Sequence, residues 1–262
     1  MRTFKLPIEK KLSERILRIQ KNYGLKGIKA EYEAEGSQDE DIQILKKICD
    51  FNSTNLYVKI GGVEAIRDIY KCIEIGVYGI IAPMVETKFA AQKYLDCINK
   101  FDLEKKFHLS INIETETGYK NYNEIIKILK NKINNVTIGR SDLSASFFNN
   151  NIKPDSVKIC NIIDKIVKKN KKINISTTVG GTISKKTFKI YKLNKTYKNI
   201  NMIETRKVIL DNNIFFKKEK AIDEALKFEQ DYILFKKAYF DLKFKEEFLR
   251  LIKLRGRIWK EI

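Results

Sequence analysis

The chain has 262 residues, of which 43% are apolar, and a formal net charge of +19. That length suits one α/β domain with a large core, and no run of about 18 apolar residues is present, so a membrane span is not expected. The basic residues are scattered along the whole chain among Asn and Ile, with no nucleic-acid-binding motif beside them. Nucleic acid is therefore not an expected partner, although the charge would steer small anions toward the protein.

The opening MRTFKLPIEKKLSERILRIQK has neither the apolar core nor the cleavage site of a secretory signal. Cys49, Cys72, Cys97 and Cys160 lack paired spacing. Free buried thiols in a reducing, cytoplasmic setting are expected. Ile8, Leu12, Ile16 and Ile19 recur at helical spacing over 8–22, and Gly24 ends that helix. Residues 27–36 alternate, with Ile28, Ala30 and Tyr32 on one face and Lys29, Glu31 and Glu33 on the other, which predicts a strand. Its charged face is either solvated or, in a closed barrel, aimed into the mouth. A helix over 40–50 follows, then a strand at Leu56–Ile60 that carries Lys59 into Gly61-Gly62. Next come a helix over 63–76, a buried strand over 78–84 stopped by Pro83, and a helix over 87–99.

The segment 108–148 is the most informative. Ser110, Asn112 and Glu114 share one face of a strand, a helix covers 122–132, and Val136, Thr137 and Ile138 form a second strand before Gly139-Arg140-Ser141-Asp142. Parallel strands joined by a crossover helix end at the same edge of their sheet. Glu114 and Asp142 are thus expected to meet at one rim, where two carboxylates suit a hard divalent cation. Beyond it lie a helix over 155–169, a strand over 173–181 running into Gly180-Gly181, a helical stretch over 184–195 and a strand over 200–210. On that last strand Met202, Glu204 and Arg206 share a face. Gly180-Gly181 after a strand suits a backbone nest for a carboxylate or phosphate. From 219 the chain reads as one or two helices with large aromatics at Phe235, Tyr239, Phe240, Phe244 and Phe248.

Alternating strands and helices give a parallel sheet closed by helices. Seven strands are evident, and the eighth is either Thr3–Leu6 or replaced by a distortion. The expected fold is α/β: a (β/α)8 TIM barrel, complete or modified, over 1–218, with extra C-terminal helices over 219–262 packed on the barrel or on a neighbouring subunit.

IETETGYKNYNEII followed by IGRSDLS resembles the metal-binding half of the HpcH/HpaI aldolase and citrate lyase beta-subunit family, TIM barrels of the pyruvate/phosphoenolpyruvate superfamily. Ile113, Glu114, Thr115, Gly118, Asn121, Gly139, Asp142 and Leu143 carry the likeness. The resemblance implies that Glu114 and Asp142 bind Mg²⁺ or Mn²⁺, which holds a 2-oxo acid or its enolate. GVYGIIAPMVET, residues 76–87, is similar to another family strand, where Glu86 would bind metal-linked water or merely end the strand. Lys59 falls where the family has an Arg that holds the substrate, and keeps its charge without the bidentate fork. Glu31 and Glu33 fall on the family's two acids. The class II aldolases add a His there as base; this sequence has only His108, at the opposite end of another strand.

The implied activity is a divalent-metal-dependent carbon–carbon lyase or aldolase acting on a small anionic 2-oxo acid. Lys59, Arg140 and Glu31 are the catalytic candidates. Glu33, Glu86, Gly180, Gly181 and Arg206 are the substrate-binding ones. Arg140 would pair with a substrate anion or else with Glu114 or Glu86. An acyl-CoA lyase or thioesterase of the citrate-lyase type, phosphoenolpyruvate chemistry and a catalytically inactive metal-binding barrel stay open. Family members are often trimers or hexamers with exchanged C-terminal helices, so a homo-oligomer is expected.

Overall fold

A computed structural model describes residues 6–194 and 196–258. Its centre is a closed barrel of eight strands in sequence order: β1 (Leu25–Glu31), β2 (Leu56–Lys59), β3 (Gly79–Ala82), β4 (His108–Ile113), β5 (Asn135–Gly139), β6 (Ser176–Gly180), β7 (Met202–Glu204) and β8 (Val208–Asp211). The first seven run parallel in succession, whereas β8 is antiparallel to both β7 and β1. The strand expected over 200–210 is therefore two strands. Thr205 N–H bonds to Val208 O at 2.9 Å, closing a hairpin. Only three residues separate β7 from β8, far fewer than the dozen or so that a parallel crossover needs. This hairpin supplies the eighth strand; residues 3–5 of the alternative lie outside the described residues.

Helices ring the barrel: α1 (Pro7–Tyr23), α2 (Asp39–Phe51), α3 (Ile66–Ile75), α4 (Lys88–Phe101), α5 (Glu116–Lys120), α6 (Tyr122–Leu129), α7 (Arg140–Ala145), α8 (Val157–Lys172), α9 (Lys185–Asn194), α10 (Asn212–Phe215) and α11 (Lys220–Ile258). The apolar strand residues turn outward and meet one helix face each. On α1, Leu12, Ile16 and Ile19 are wholly buried, each contributing about 1.5–3 kcal/mol. The lumen has its own small apolar plug of Tyr57, Ile81 and Ile209. Beside the plug it is polar: Asn135 Nδ2 donates to Ser110 Oγ at 2.8 Å, and Thr178 Oγ1 to Asn135 Oδ1 at 3.0 Å. All four cysteines are buried.

The last helix is one element of 39 residues, roughly 58 Å long at 1.5 Å per residue. Its first half belongs to the barrel. Ala221, Ile222, Ala225, Phe228, Tyr232 and Phe235 are buried, and Arg15 of α1 ion-pairs with Glu224 and Asp231. Its second half, from Phe240, is exposed all round, with Phe244 at 69%. Phe235, one of the aromatics expected at a subunit interface, is instead core of its own chain.

Candidate active site

Strand β1 leaves the sheet at Glu31 and bends through 32–36. The expected strand to 36 is cut short, and only Lys29 and Glu31 of its charged face enter the lumen. Both are about 5% exposed. Lys29 Nζ lies 2.9 Å from Glu31 Oε1 and 2.8 Å from Glu204 Oε1. Lys59, at the end of β2, lies 3.8 Å from Glu31 Oε2 and 3.9 Å from Glu114 Oε2. Opposite charges thus alternate across the C-terminal mouth in the order Glu204, Lys29, Glu31, Lys59, Glu114. The Glu31 carboxyl is opposed by burial, yet Lys29 and Lys59 outweigh this and hold it below its usual range. Burial also opposes the Lys29 ammonium, and Glu204 and Glu31 more than reverse it, so its pKa is raised.

Glu114 follows β4. Its Oε1 accepts from Met84 N–H at 3.0 Å and its Oε2 from Asn112 Nδ2 at 3.1 Å. The carboxylate lies across β5 because residue 139 is glycine: a Cβ there would stand 2.7 Å from Glu114 Oε2. Gly180 does the same for Glu204, whose Cγ would be 2.6 Å away. Burial raises the Glu114 pKa, against Lys59 and its hydrogen bonds, and the neighbouring Asp142 carboxylate raises it further.

These groups line one cavity of about 430 Å³, together with Asn112, Gly139, Ser141, Gly181, Thr182, Arg206, Leu226 and Glu229. Its lining sets Lys29, Lys59 and Arg206 against five carboxylates, Glu31, Glu114, Asp142, Glu204 and Glu229, an excess of two carboxylates, and of these Asp142 is exposed. Asn112 Oδ1 is buried there without a hydrogen-bond partner. All-oxygen donors, an orphaned carbonyl and a double negative excess fit a divalent cation of the Mg²⁺ type. Among the described residues no group of three or more His, Cys, Asp or Glu side chains could enclose a metal, but Mg²⁺ usually takes one or two carboxylates and completes its shell with water and substrate.

Lys59, Glu31, Glu114, Asp142, Gly181 and Arg206 are thus brought together, and the other candidates are not. Arg140 is wholly buried with its guanidinium turned away from the cavity. It bonds Gly180 O at 3.0 Å, Asp155 Oδ1 at 2.6 Å, and the oxygens of Gly181, Pro154 and Tyr191. Neither Glu114 nor Glu86 is its partner, and no donor is left for a substrate. Glu33 is exposed beyond the strand beside Gly61, and Glu86 lies outside the lining. The Glu86 carbonyl accepts from Asn121 Nδ2 at 2.9 Å, which explains that Asn as a brace. The carbonyls of Gly180 and Gly181 serve Arg140, and only Gly181 lines the cavity. His108 stacks on Tyr78 at the N-terminal end of β4, away from the mouth.

Sequence reasoning missed Lys29 and Glu204 as a pair; they are 175 residues apart. It also missed Leu226 and Glu229, since nothing in the helical pattern of α11 says where along the barrel the helix crosses the mouth.

A closed eight-stranded α/β barrel with acids and lysines at its C-terminal mouth defines a modified TIM-barrel enzyme. The family model for HpcH/HpaI aldolase/citrate lyase matches residues 41–188, more than half of the chain, which therefore belongs to that family. An HpcH/HpaI aldolase from Desulfitobacterium hafniense superposes with a TM-score of 0.58 at 12% identity, covering 74% of this chain and 81% of that one. A family protein from Burkholderia cenocepacia gives 0.58 at 10% identity, covering 84% and 90%. A variant of the citrate synthase SbnG gives 0.54 at 14% identity, covering 85% and 88%. At such identities these likenesses concern the fold. No curated protein matches the chain. Membership supports a lyase- or aldolase-type enzyme, and the family is generally divalent-metal dependent. Among the described residues no helix is long and apolar enough to cross a membrane.

Proposed function

We propose that this protein is a divalent-metal-dependent carbon–carbon lyase or aldolase that joins a 2-oxo acid to an aldehyde, or cleaves their adduct. The observation that carries this reading is the cavity lining, whose two carboxylates in excess of its cations would repel a 2-oxo acid unless a divalent cation offset them. Glu114 and Asp142 would hold Mg²⁺ or Mn²⁺, with Asn112 beside them. When bound, such an ion supplies Lewis-acid polarisation of the 2-oxo group. Lys59, already poised between two carboxylates, would take the substrate oxygen on which negative charge grows.

In the joining direction a C3–H bond of the 2-oxo acid breaks and its proton passes to the Glu31 carboxylate. The freed electron pair forms the bond to the aldehyde carbon, and the aldehyde oxygen then takes up a proton. The lysines that keep Glu31 ionised also make it a weak base.

The test is exchange of the pyruvate methyl protons in deuterated water, with and without Mg²⁺. Exchange that requires Mg²⁺ and disappears in Glu114→Gln and Asp142→Asn supports the reading; metal-independent exchange, or none, ends it. We further propose that the protein is cytoplasmic and forms a homo-oligomer, the assembly being supported by Phe240, Phe244, Phe248 and Leu251, which are exposed on the second half of α11.

A further inference from the structure

The cavity continues outward past the charges at its inner end. Toward solvent its lining includes the exposed Ala34, Arg206 and Leu226 and the half-buried Glu229, with Ile183 buried behind them. Arg206 is exposed in the β7–β8 turn, two residues beyond the buried Glu204. Leu226 and Glu229 are three residues apart on α11, so they share a helix face, and that face looks onto the mouth.

The lysines of the cavity each have two carboxylate neighbours. Lys29 lies between Glu31 and Glu204, and Lys59 between Glu31 and Glu114. Nearby charges outside the cavity are paired too: Lys207 bonds Glu35, and Lys185 bonds Asp223 at 3.1 Å. Arg206 and Glu229 differ. No ion pair or side-chain hydrogen bond is formed by either among the described residues, and although opposite in charge they do not reach each other. A guanidinium and a carboxylate held apart on one cavity wall, with Leu226 and Ile183 as apolar surface, complement a ligand that carries both charges.

We propose that the second reactant is a dipolar aldehyde, presenting a carboxylate to Arg206 and an ammonium group to Glu229. The inference rests on the aldolase reading above. An anion alone would satisfy Arg206 but face the Glu229 carboxylate and the acidic inner site. A cation alone would satisfy Glu229 but face Arg206. A ligand with both groups meets neither repulsion, and its fork-like contact to Arg206 fixes its orientation. Such charges do little while solvated; they act when the ligand's carbon chain, lying on Leu226, excludes water between them.

Three aldehydes separate the possibilities when offered with pyruvate and Mg²⁺: L-aspartate β-semialdehyde with both charges, succinate semialdehyde without the ammonium, and 3-aminopropanal without the carboxylate. The expected kcat/KM for the first exceeds each of the others by about tenfold or more, the scale of one charged hydrogen bond. Arg206→Gln should bring the first down to the level of 3-aminopropanal, and Glu229→Gln to that of succinate semialdehyde. Glu229→Lys should reverse the order of the two carboxylate-bearing aldehydes. Thermal unfolding shows whether each variant is intact. If wild-type protein exchanges pyruvate methyl protons yet shows no preference, or keeps its preference in the variants, the dipolar seat is wrong and the aldolase reading stands. If it exchanges none, both fall.

Discussion

Replacing Lys29 by Met probes the network that shapes the mouth. The side chain is about 7% exposed and bonds two carboxylates that are 7% and 6% exposed. Met keeps much of the volume and removes the ammonium. Glu31 then retains Lys59 at 3.8 Å and the more distant Lys207, and among the described residues Glu204 loses its only ion pair. Breaking a buried ion pair by removing one partner costs about 3–5 kcal/mol, because a charge is left buried without compensation.

The pH dependence follows from Glu31. Its pKa is depressed below 4.5 in the folded protein against the effect of burial, with Lys29 the largest of the three cations that hold it down, ahead of Lys59 and Lys207. Its contribution is therefore present above its usual value and lost as pH falls through the depressed one. The Met variant lacks most of that contribution. Its deficit should be full at about pH 7 and shrink as pH falls below the usual carboxylate range. Lys29 itself titrates above 10.5, so its contribution fades only in strong alkali. Guanidinium unfolding followed by circular dichroism, at about pH 7 and again at about pH 4, measures both. Equal stabilities at pH 7, or a deficit that ignores pH, would refute the coupling of Lys29 to Glu31 and Glu204.

Lys59→Ala is expected to lower kcat/KM by about 1.5–3 kcal/mol, the range for hydrogen bonds to charged groups, with folding stability largely kept; an unchanged rate removes Lys59 from the site. Arg140→Ala acts the other way. It should destabilise the fold by about 3–5 kcal/mol, because Asp155 and the carbonyls of Gly180 and Gly181 lose their donor; full stability in urea titration would contradict the buried clamp. Phe244→Glu combined with Phe248→Glu should shift an oligomer toward monomer in light scattering, since these rings stack on each other on the free half of α11 and aromatic side chains favour interfaces. A wild-type protein that is monomeric at micromolar concentration would remove the assembly.

The sequence by itself determined the strand–helix rhythm and the meeting of Glu114 with Asp142. Both depend on local periods and on one right-handed crossover, which brings consecutive parallel strand ends to one rim. The likeness of two strands to those of the family located Lys59 and Glu31, whereas a strand's period of two left the charged face of Lys29, Glu31 and Glu33 either solvated or in the mouth. Tertiary structure alone decided the rest. The eighth strand arose from three turn residues at Thr205–Lys207 inside a run that reads as continuous. Arg140 looked like a substrate ligand until the loop after β6 brought carbonyls within its reach. Lys29 and Glu204, and Arg206 and Glu229, lie on elements distant in sequence, and such pairs are set by barrel closure and by the path of α11. No periodicity records those distances, because they depend on how every intervening element packs.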